Sequence, residues 1–417
     1  MSTGPAVTRA ALLTDVRERV FRSIPAAAAP RIGVEIEFIP LSAESGDPWP
    51  LDGGRPRSSL AFLHRHGRSH GWVEEVGAGG SPRFRRADGG TLSFEPGGQV
   101  EYSSPAFASA SALLEGLRAT LEPILHTARD EGVVWHATGI DPLNTIDRIP
   151  LQIESERYLR MSEYFATLGP EGAKMMRQTA AFHVNLDFGD APWGRFRLLN
   201  AAAPYLIAIF AHSPFYAGAP TGHRSYRAHV WRETDPQRTG ILAGDGGPAE
   251  YFEFCLNAPA ILKGLLDGAY LPFADWVDRG AVTLDDWHAH LLNMYPDIRP
   301  RGYLEVRSPD AIPLAWAAAP VALLAGITYH APSERAAADL LGVPDAERFR
   351  RAGRVGLQDP AIAAVARDLV EIALAGCAAL GPAFIGGGDL EIARAFFDRY
   401  TRRDAAPADD ARLLVAS

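Results

Sequence analysis

The sequence predicts an α+β fold, in which a curved, largely antiparallel sheet carries helices on its apolar face and lines a cavity with its polar face. Three observations lead there. Four short stretches alternate apolar and polar residues with period two, and each bears carboxylates, amides, His or Arg on one side. Glycine-rich turns punctuate the region 72–104. Leu- and Ala-rich helical segments fill much of the remainder and need an apolar surface to cover.

The first such stretch is Gly33-Val34-Glu35-Ile36-Glu37-Phe38. As a strand it puts Glu35 and Glu37 on one face, about 7 Å apart, and Val34, Ile36 and Phe38 on the other. A helix over 8–22 and a linker over 25–30 precede it. A Gly/Pro/Ser/Asp loop over 41–56 and a helix over 58–71 follow. The meander of 72–104 turns at Gly77-Ala78-Gly79-Gly80, at Asp88-Gly89-Gly90 and at Pro96-Gly97-Gly98. The last turn joins Glu95, at the end of one strand, to a strand whose Gln99, Glu101 and Ser103 share a face. Ser109 or Ser111 caps an amphipathic helix over 109–132 with a Leu113, Leu114, Leu117, Leu121, Leu125 stripe. His136 sits on a short strand over 133–138. Helices over 154–165 and through Met175 and Met176 lead to Phe182–Phe188, where His183, Asn185 and Asp187 form the polar face.

A core helix over 198–211 comes next. In 223–238, Arg224, Arg227, Arg232 and Arg238 are interleaved with Tyr226 and Trp231, which suits bidentate binding of anionic groups. A strand is expected over 251–256 and a Thr283-capped helix over 283–294. The fourth polar strand is Tyr303-Leu304-Glu305-Val306-Arg307, with Glu305 and Arg307 on one face. Residues 311–329 carry no charge and read as a buried helix, broken or kinked near Pro320, rather than a membrane span. Helices continue to about 400.

Composition narrows the function. The 417 residues are 47% hydrophobic and 22% charged, a balance that makes a packed core feasible. A net charge of -9 argues against a nucleic-acid surface. Two cysteines, Cys255 and Cys377, make no disulfide framework or metal motif and read as core thiols in a reducing compartment. The first residues lack a basic-then-apolar leader, so a cytoplasmic protein without membrane partners is expected. The expected organisation is one catalytic domain over 1–417, with motifs in 30–330, a helical C-terminal part over 311–403 and a frayed tail over 404–417. The sequence leaves the oligomeric state open.

Brought together, the polar faces would line a cavity with Glu35, Glu37, Glu95, Glu101, Glu305 and His183. Such a density of carboxylates needs cations, and hard oxygen ligands without cysteine favour Mg²⁺ or Mn²⁺. Arg307 and the 224–238 arginines would supply positive charge to a polyphosphate. Neither a G-x-x-x-x-G-K-[ST] nor a helix-opening G-x-G-x-x-G is present, so the expected chemistry is ATP-dependent without a P-loop.

At these residues the chain resembles the glutamate–cysteine ligases, in the branch that holds the plant-type enzymes and the first enzyme of ergothioneine biosynthesis. The matching blocks are GVEIEF at 33–38, FEPGGQVEYSSP at 94–105, RYLRMSEYF, GPEGAKMMRQTAAFHVNLDFG through 189, AHSPF at 211–215, YRAHVWRETDPQRTG at 226–240 and YLEVRSPD at 303–310. The resemblance implies a glutamine-synthetase-like funnel of antiparallel strands with helices outside. It implies ligation of the γ-carboxylate of L-glutamate to the amine of L-cysteine through γ-glutamyl phosphate, with ATP and Mg²⁺, for glutathione or ergothioneine biosynthesis. A related carboxylate–amine ligase with another acid or amine is the alternative. Position by position, Glu35, Glu37, Glu95, Glu101, His183 and Glu305 resemble metal ligands. Arg307 resembles the arginine that neutralises the transferring phosphoryl group, with Glu35 and Glu305 as its catalytic partners. Arg227, Arg238 and Asn185 resemble nucleotide or substrate contacts. His183 stands where the plant-type enzymes have Gln, as it does in other branches. Each of Glu35 and Glu37 is expected to serve a different cation.

Overall fold

The computed structural model describes residues 7–25, 28–52, 54–77 and 80–413. Parts of the expected linker (26–27), of the first glycine turn (78–79) and of the tail (414–417) lie outside these residues.

Eleven strands occur among the described residues: β1 (Ile32–Ser42), β2 (Val73–Val76), β3 (Pro82–Arg85), β4 (Thr91–Phe94), β5 (Val100–Ser103), β6 (Val133–His136), β7 (Phe182–Leu186), β8 (Phe215–Tyr216), β9 (Ala219–Pro220), β10 (Ile298–Pro300) and β11 (Leu304–Val306). β8 and β9 form a separate two-stranded hairpin. The other nine make one antiparallel sheet in the order β10-β11-β7-β1-β5-β4-β3-β2, with β6 pairing to the far half of β1. β2 to β5 form the expected meander, because each junction carries glycines free to take positive φ, as Gly89 and Gly98 do.

β1 is long enough to serve two neighbourhoods. Its first half pairs with β5 and β7, and Ile39 to Ser42 pair with β6. Its apolar side chains, Val34, Ile36 and Phe38, are each 1% exposed. They share one core cluster with Leu113, Leu114, Leu117 and Leu121 of the helix Ala110–Asp130, whose cap is Ser109. A second tier of helices closes the core: Pro192–Ile209, Ala318–Tyr329 and Pro360–Leu380. Gly326 and Gly376 let the last two cross closely, since a Cβ on Gly326 would strike the carbonyl of Ala373.

Three expectations are corrected. The break near Pro320 lies earlier, at a 3₁₀ turn over Leu314–Trp316, and Pro320 sits in the first turn of the next helix, where its missing N–H costs no bond. Among the described residues no single helix is long and apolar enough to cross a membrane, and the one pair that passes together is bent by 99°. Residues 251–256 belong to a helix, Gly247–Asn257, because their apolar positions pack at helical spacing against the Pro192–Ile209 helix. The arginine-rich 226–234 stretch is a helix capped by Ser225. The tail is held well past 404: Ala408 donates to the carbonyl of Ala211, and Asp409 pairs with Arg224 at 2.9 Å.

Candidate active site

β11, β7, β1 and β5 are consecutive, so the four polar faces merge into one floor. Register then decides which side chains meet. Glu35 lies opposite His183 on one side and Ser103 on the other. Glu37 lies opposite Glu101, and Glu305 opposite Asn185. The floor bounds a cavity of about 300 Å³ lined by Glu35, Glu37, Glu95, Glu101, His183, Arg227 and Arg307.

Each carboxylate is fixed by a local device. Glu37 accepts from the Ala181 N–H at 2.7 Å. Glu101 accepts from the hydroxyls of Ser93 and Ser103. Glu35 accepts from the Asn185 amide at 3.1 Å, and His183 Nδ1 lies 3.4 Å from its other oxygen. Glu95 leaves β4 at the hairpin turn, where Gly98 has φ +89° and a Cβ on Gly97 would collide with the carbonyl of Arg177. That seat requires glycine at both positions.

Two groups of donor atoms result, each within 4.8 Å of one another: Glu35, His183 and Glu305, and Glu37, Glu95 and Glu101. The two glutamates of β1 thus fall into different groups. Burial and the nearby charge of Glu101 push the Glu37 carboxyl up to about 7. Burial and Glu37 do the same to Glu95, also to about 7. Glu101 is driven well above the usual carboxylate range by burial, with Glu35 and Glu95 adding to it. Burial, then Arg307, push His183 down to about 4, so its imidazole is neutral, and its buried Nε2 has no hydrogen-bond partner among the described residues. Neutral imidazole beside crowded carboxylates is a donor set for a divalent cation, whose charge would reverse the repulsion.

Glu305 departs from its expected place on the cavity lining. It is 0% exposed and does not line the cavity. One oxygen accepts from Arg299 Nε at 2.6 Å and Arg307 Nη1 at 2.8 Å, the other from Arg299 Nη2 and Arg301 Nη1. This clamp holds its pKa well below the ordinary value although burial opposes it. Arg299 and Arg301 were not singled out in the sequence. Their signal was the hairpin partner of the Glu305 strand, since Arg299 is the register neighbour of Glu305.

The remaining residues divide. Arg227 lines the cavity and donates to the Arg307 carbonyl at 2.9 Å. Asn185 reaches the site through Glu35 and is not itself among the lining residues. Asp187, past the end of β7, pairs with Arg195 and the Arg31 N–H instead. Arg238 is a correction: it is fully buried away from the cavity, donating to the carbonyls of Asn293 and Pro259 beside Asp235 and the Tyr164 ring. Its sequence neighbours suggested an anion contact, but the short helix Pro236–Thr239 turns it into the protein. Unforeseen lining residues include Arg157, Tyr158 and Tyr295, and Trp231 of the arginine-rich stretch joins them. Arg157 and Tyr158 lie on the helix Glu156–Ala166, inside a block already noted for its sequence.

Residues 31–397 match the model of the family described as glutamate-cysteine ligase family 2. The chain is similar to the glutamate–cysteine ligase EgtA of Mycolicibacterium smegmatis, 35% identical over 343 residues that cover 77% of each chain. It is similar to the chloroplastic glutamate–cysteine ligase of Nicotiana tabacum, 30% identical over 69% of this chain and 59% of that one. Its fold is like that of a glutamate–cysteine ligase from Francisella tularensis solved in complex with AMP, with a TM-score of 0.53 at 13% identity over 92% of this chain and 84% of that one.

Proposed function

Because this chain belongs to the glutamate–cysteine ligase family 2, we propose that it uses ATP to join the γ-carboxylate of L-glutamate to the amine of L-cysteine, giving γ-glutamylcysteine, ADP and phosphate. The observation that carries the reading is the pair of donor groups on one sheet floor facing Arg307 and Arg227. Glu35, His183 and Glu305 would hold one Mg²⁺, and Glu37, Glu95 and Glu101 another. When bound, the ions supply charge neutralisation for the triphosphate and for the acid to be activated.

The γ-carboxylate of glutamate attacks the γ-phosphorus of ATP, and the bond to the β–γ bridging oxygen breaks, releasing ADP and leaving γ-glutamyl phosphate. The cysteine amine then attacks the acyl carbon, and phosphate leaves. No protein nucleophile is needed, because both nucleophiles are substrates, and positioning with electrostatics does the rest. Arg307, tied through Nη1 to Glu305, presents a fixed planar cation to the transferring group. Arg227, held by the Arg307 carbonyl and 3.7 Å from Asp310, adds positive charge at the same wall. Tyr158, Trp231, Tyr295, Met175 and Met176 line the cavity with apolar surface that limits water at the acyl phosphate.

The test is ADP release by purified protein with Mg²⁺-ATP, glutamate and a panel of amines. Cysteine should give the highest kcat/KM. Strong turnover with another amine and none with cysteine would reassign the acceptor and keep the ligase chemistry.

A further inference from the structure

A second, much smaller cavity of about 10 Å³ adjoins the candidate site. It shares Arg227, Trp231 and Arg307 with the larger one and adds Arg232, Asp297 and Ser308. Its volume admits one small occupant. Five of the polar atoms on its lining residues are buried and have no hydrogen-bond partner among the described residues: Arg227 Nε, Arg307 Nε, Arg232 Nε and Nη1, and Ser308 Oγ. Buried polar groups are nearly always satisfied, so five on the residues that line one cavity point to a ligand.

The donors define its chemistry. Guanidinium nitrogens only donate and do not lose their protons. Four unpaired N–H-bearing nitrogens exceed what the two lone pairs of one water can accept. The three guanidiniums have carboxylate neighbours, Arg232 at 2.6 Å from Asp297, Arg307 at 2.8 Å from Glu305 and Arg227 at 3.7 Å from Asp310, but Glu305 is shared with Arg299 and Arg301, so the cluster keeps more guanidiniums than carboxylates. The guanidiniums of Arg227 and Arg307 both lie against the Trp231 ring, at 5.0 and 5.4 Å, which fixes them without adding negative charge. A phosphate is too large for this volume. We infer that the cavity is a binding site for one monatomic anion of chloride size, held by Arg227, Arg232, Arg307 and the Ser308 hydroxyl. Such an ion would tie Arg307 to the helix Tyr226–Thr234 that carries the other two arginines.

The site shares Arg227 and Arg307 with the wall of the larger cavity, but anion binding itself needs no substrate, so it is tested without substrates. The full chain is freed of halide in gluconate and crystallised with sodium bromide, and diffraction is collected at the bromine edge. An anomalous peak between Arg227, Arg232 and Arg307 is expected, together with a higher thermal midpoint in bromide than in gluconate at matched ionic strength. An ordered water there, without anomalous signal, overturns the inference, as does a midpoint that is equal in the two salts. Cysteine-dependent turnover persisting in either of those cases would leave the ligase assignment standing.

Discussion

Replacing Glu37 by Gln should stabilise the metal-free protein while abolishing its activity. Glu37 is buried, and burial together with Glu101 lifts its carboxyl from an ordinary 4.5 to about 7. The folded state therefore holds this proton more tightly than the unfolded chain does. The associated stability is present below the ordinary carboxyl value and is lost as pH rises through about 7. Above that pH the folded protein carries a destabilising charge that costs roughly 3 kcal/mol. Glutamine keeps an oxygen for the Ala181 N–H and removes the charge. A chain of 417 residues has an unfolding entropy of roughly 0.9 kcal/mol/K, so the midpoint should rise by about 3 °C. The assay is thermal unfolding in EDTA at pH 8 and pH 5. The variant should exceed the parent at pH 8 and match it within about 1 °C at pH 5. Saturating Mg²⁺ should reverse the order, because only the parent keeps all three carboxylates. A variant less stable than the parent in EDTA at pH 8 would refute the crowded-carboxylate account.

Other substitutions separate chemistry from support. Glu35→Gln and Glu305→Gln should both abolish ADP release, but only the second should unfold early. It strips the counter-charge from Arg299, Arg301 and Arg307, a loss of about 3–5 kcal/mol seen as a lower denaturation midpoint. Arg307→Lys should lower kcat more than it raises KM in steady-state kinetics, since a planar donor is lost where charge develops. Arg238→Met should lower the thermal midpoint and leave the KM for ATP within about twofold, as its partners are backbone carbonyls and Asp235 rather than cavity groups. Gly97→Ala should reduce Mg²⁺ affinity measured by calorimetry, because the hairpin that seats Glu95 cannot approach Arg177.

Much of the site was legible in the primary structure because its signals are local. Alternation with period two assigned Glu35 and Glu37 to one face and Val34, Ile36 and Phe38 to the other, and burial follows that division for the apolar set. Turn chemistry placed Glu95 and Glu101 on either side of a glycine hairpin. The block order carried the family. What periodicity could not supply was depth. Glu305 and Arg238 sit in polar-rich segments like their neighbours, yet both are sealed inside, one by three arginines and the other by backbone carbonyls. The carbonyls around Arg238 come from other segments, and the arginines around Glu305 come from its own hairpin, which brings them within reach only once it is paired.

The sequence by itself therefore determined the polar strands and the carboxylates they carry. The tertiary structure alone decided that β11, β7, β1 and β5 lie side by side. It also decided which donor side chains lie together in two groups of three, and that Arg227, Arg232 and Arg307 line a second, smaller cavity. The reason is range: a side chain's face is set by its own backbone, whereas its charge partners are set by register and packing across residues more than a hundred positions apart.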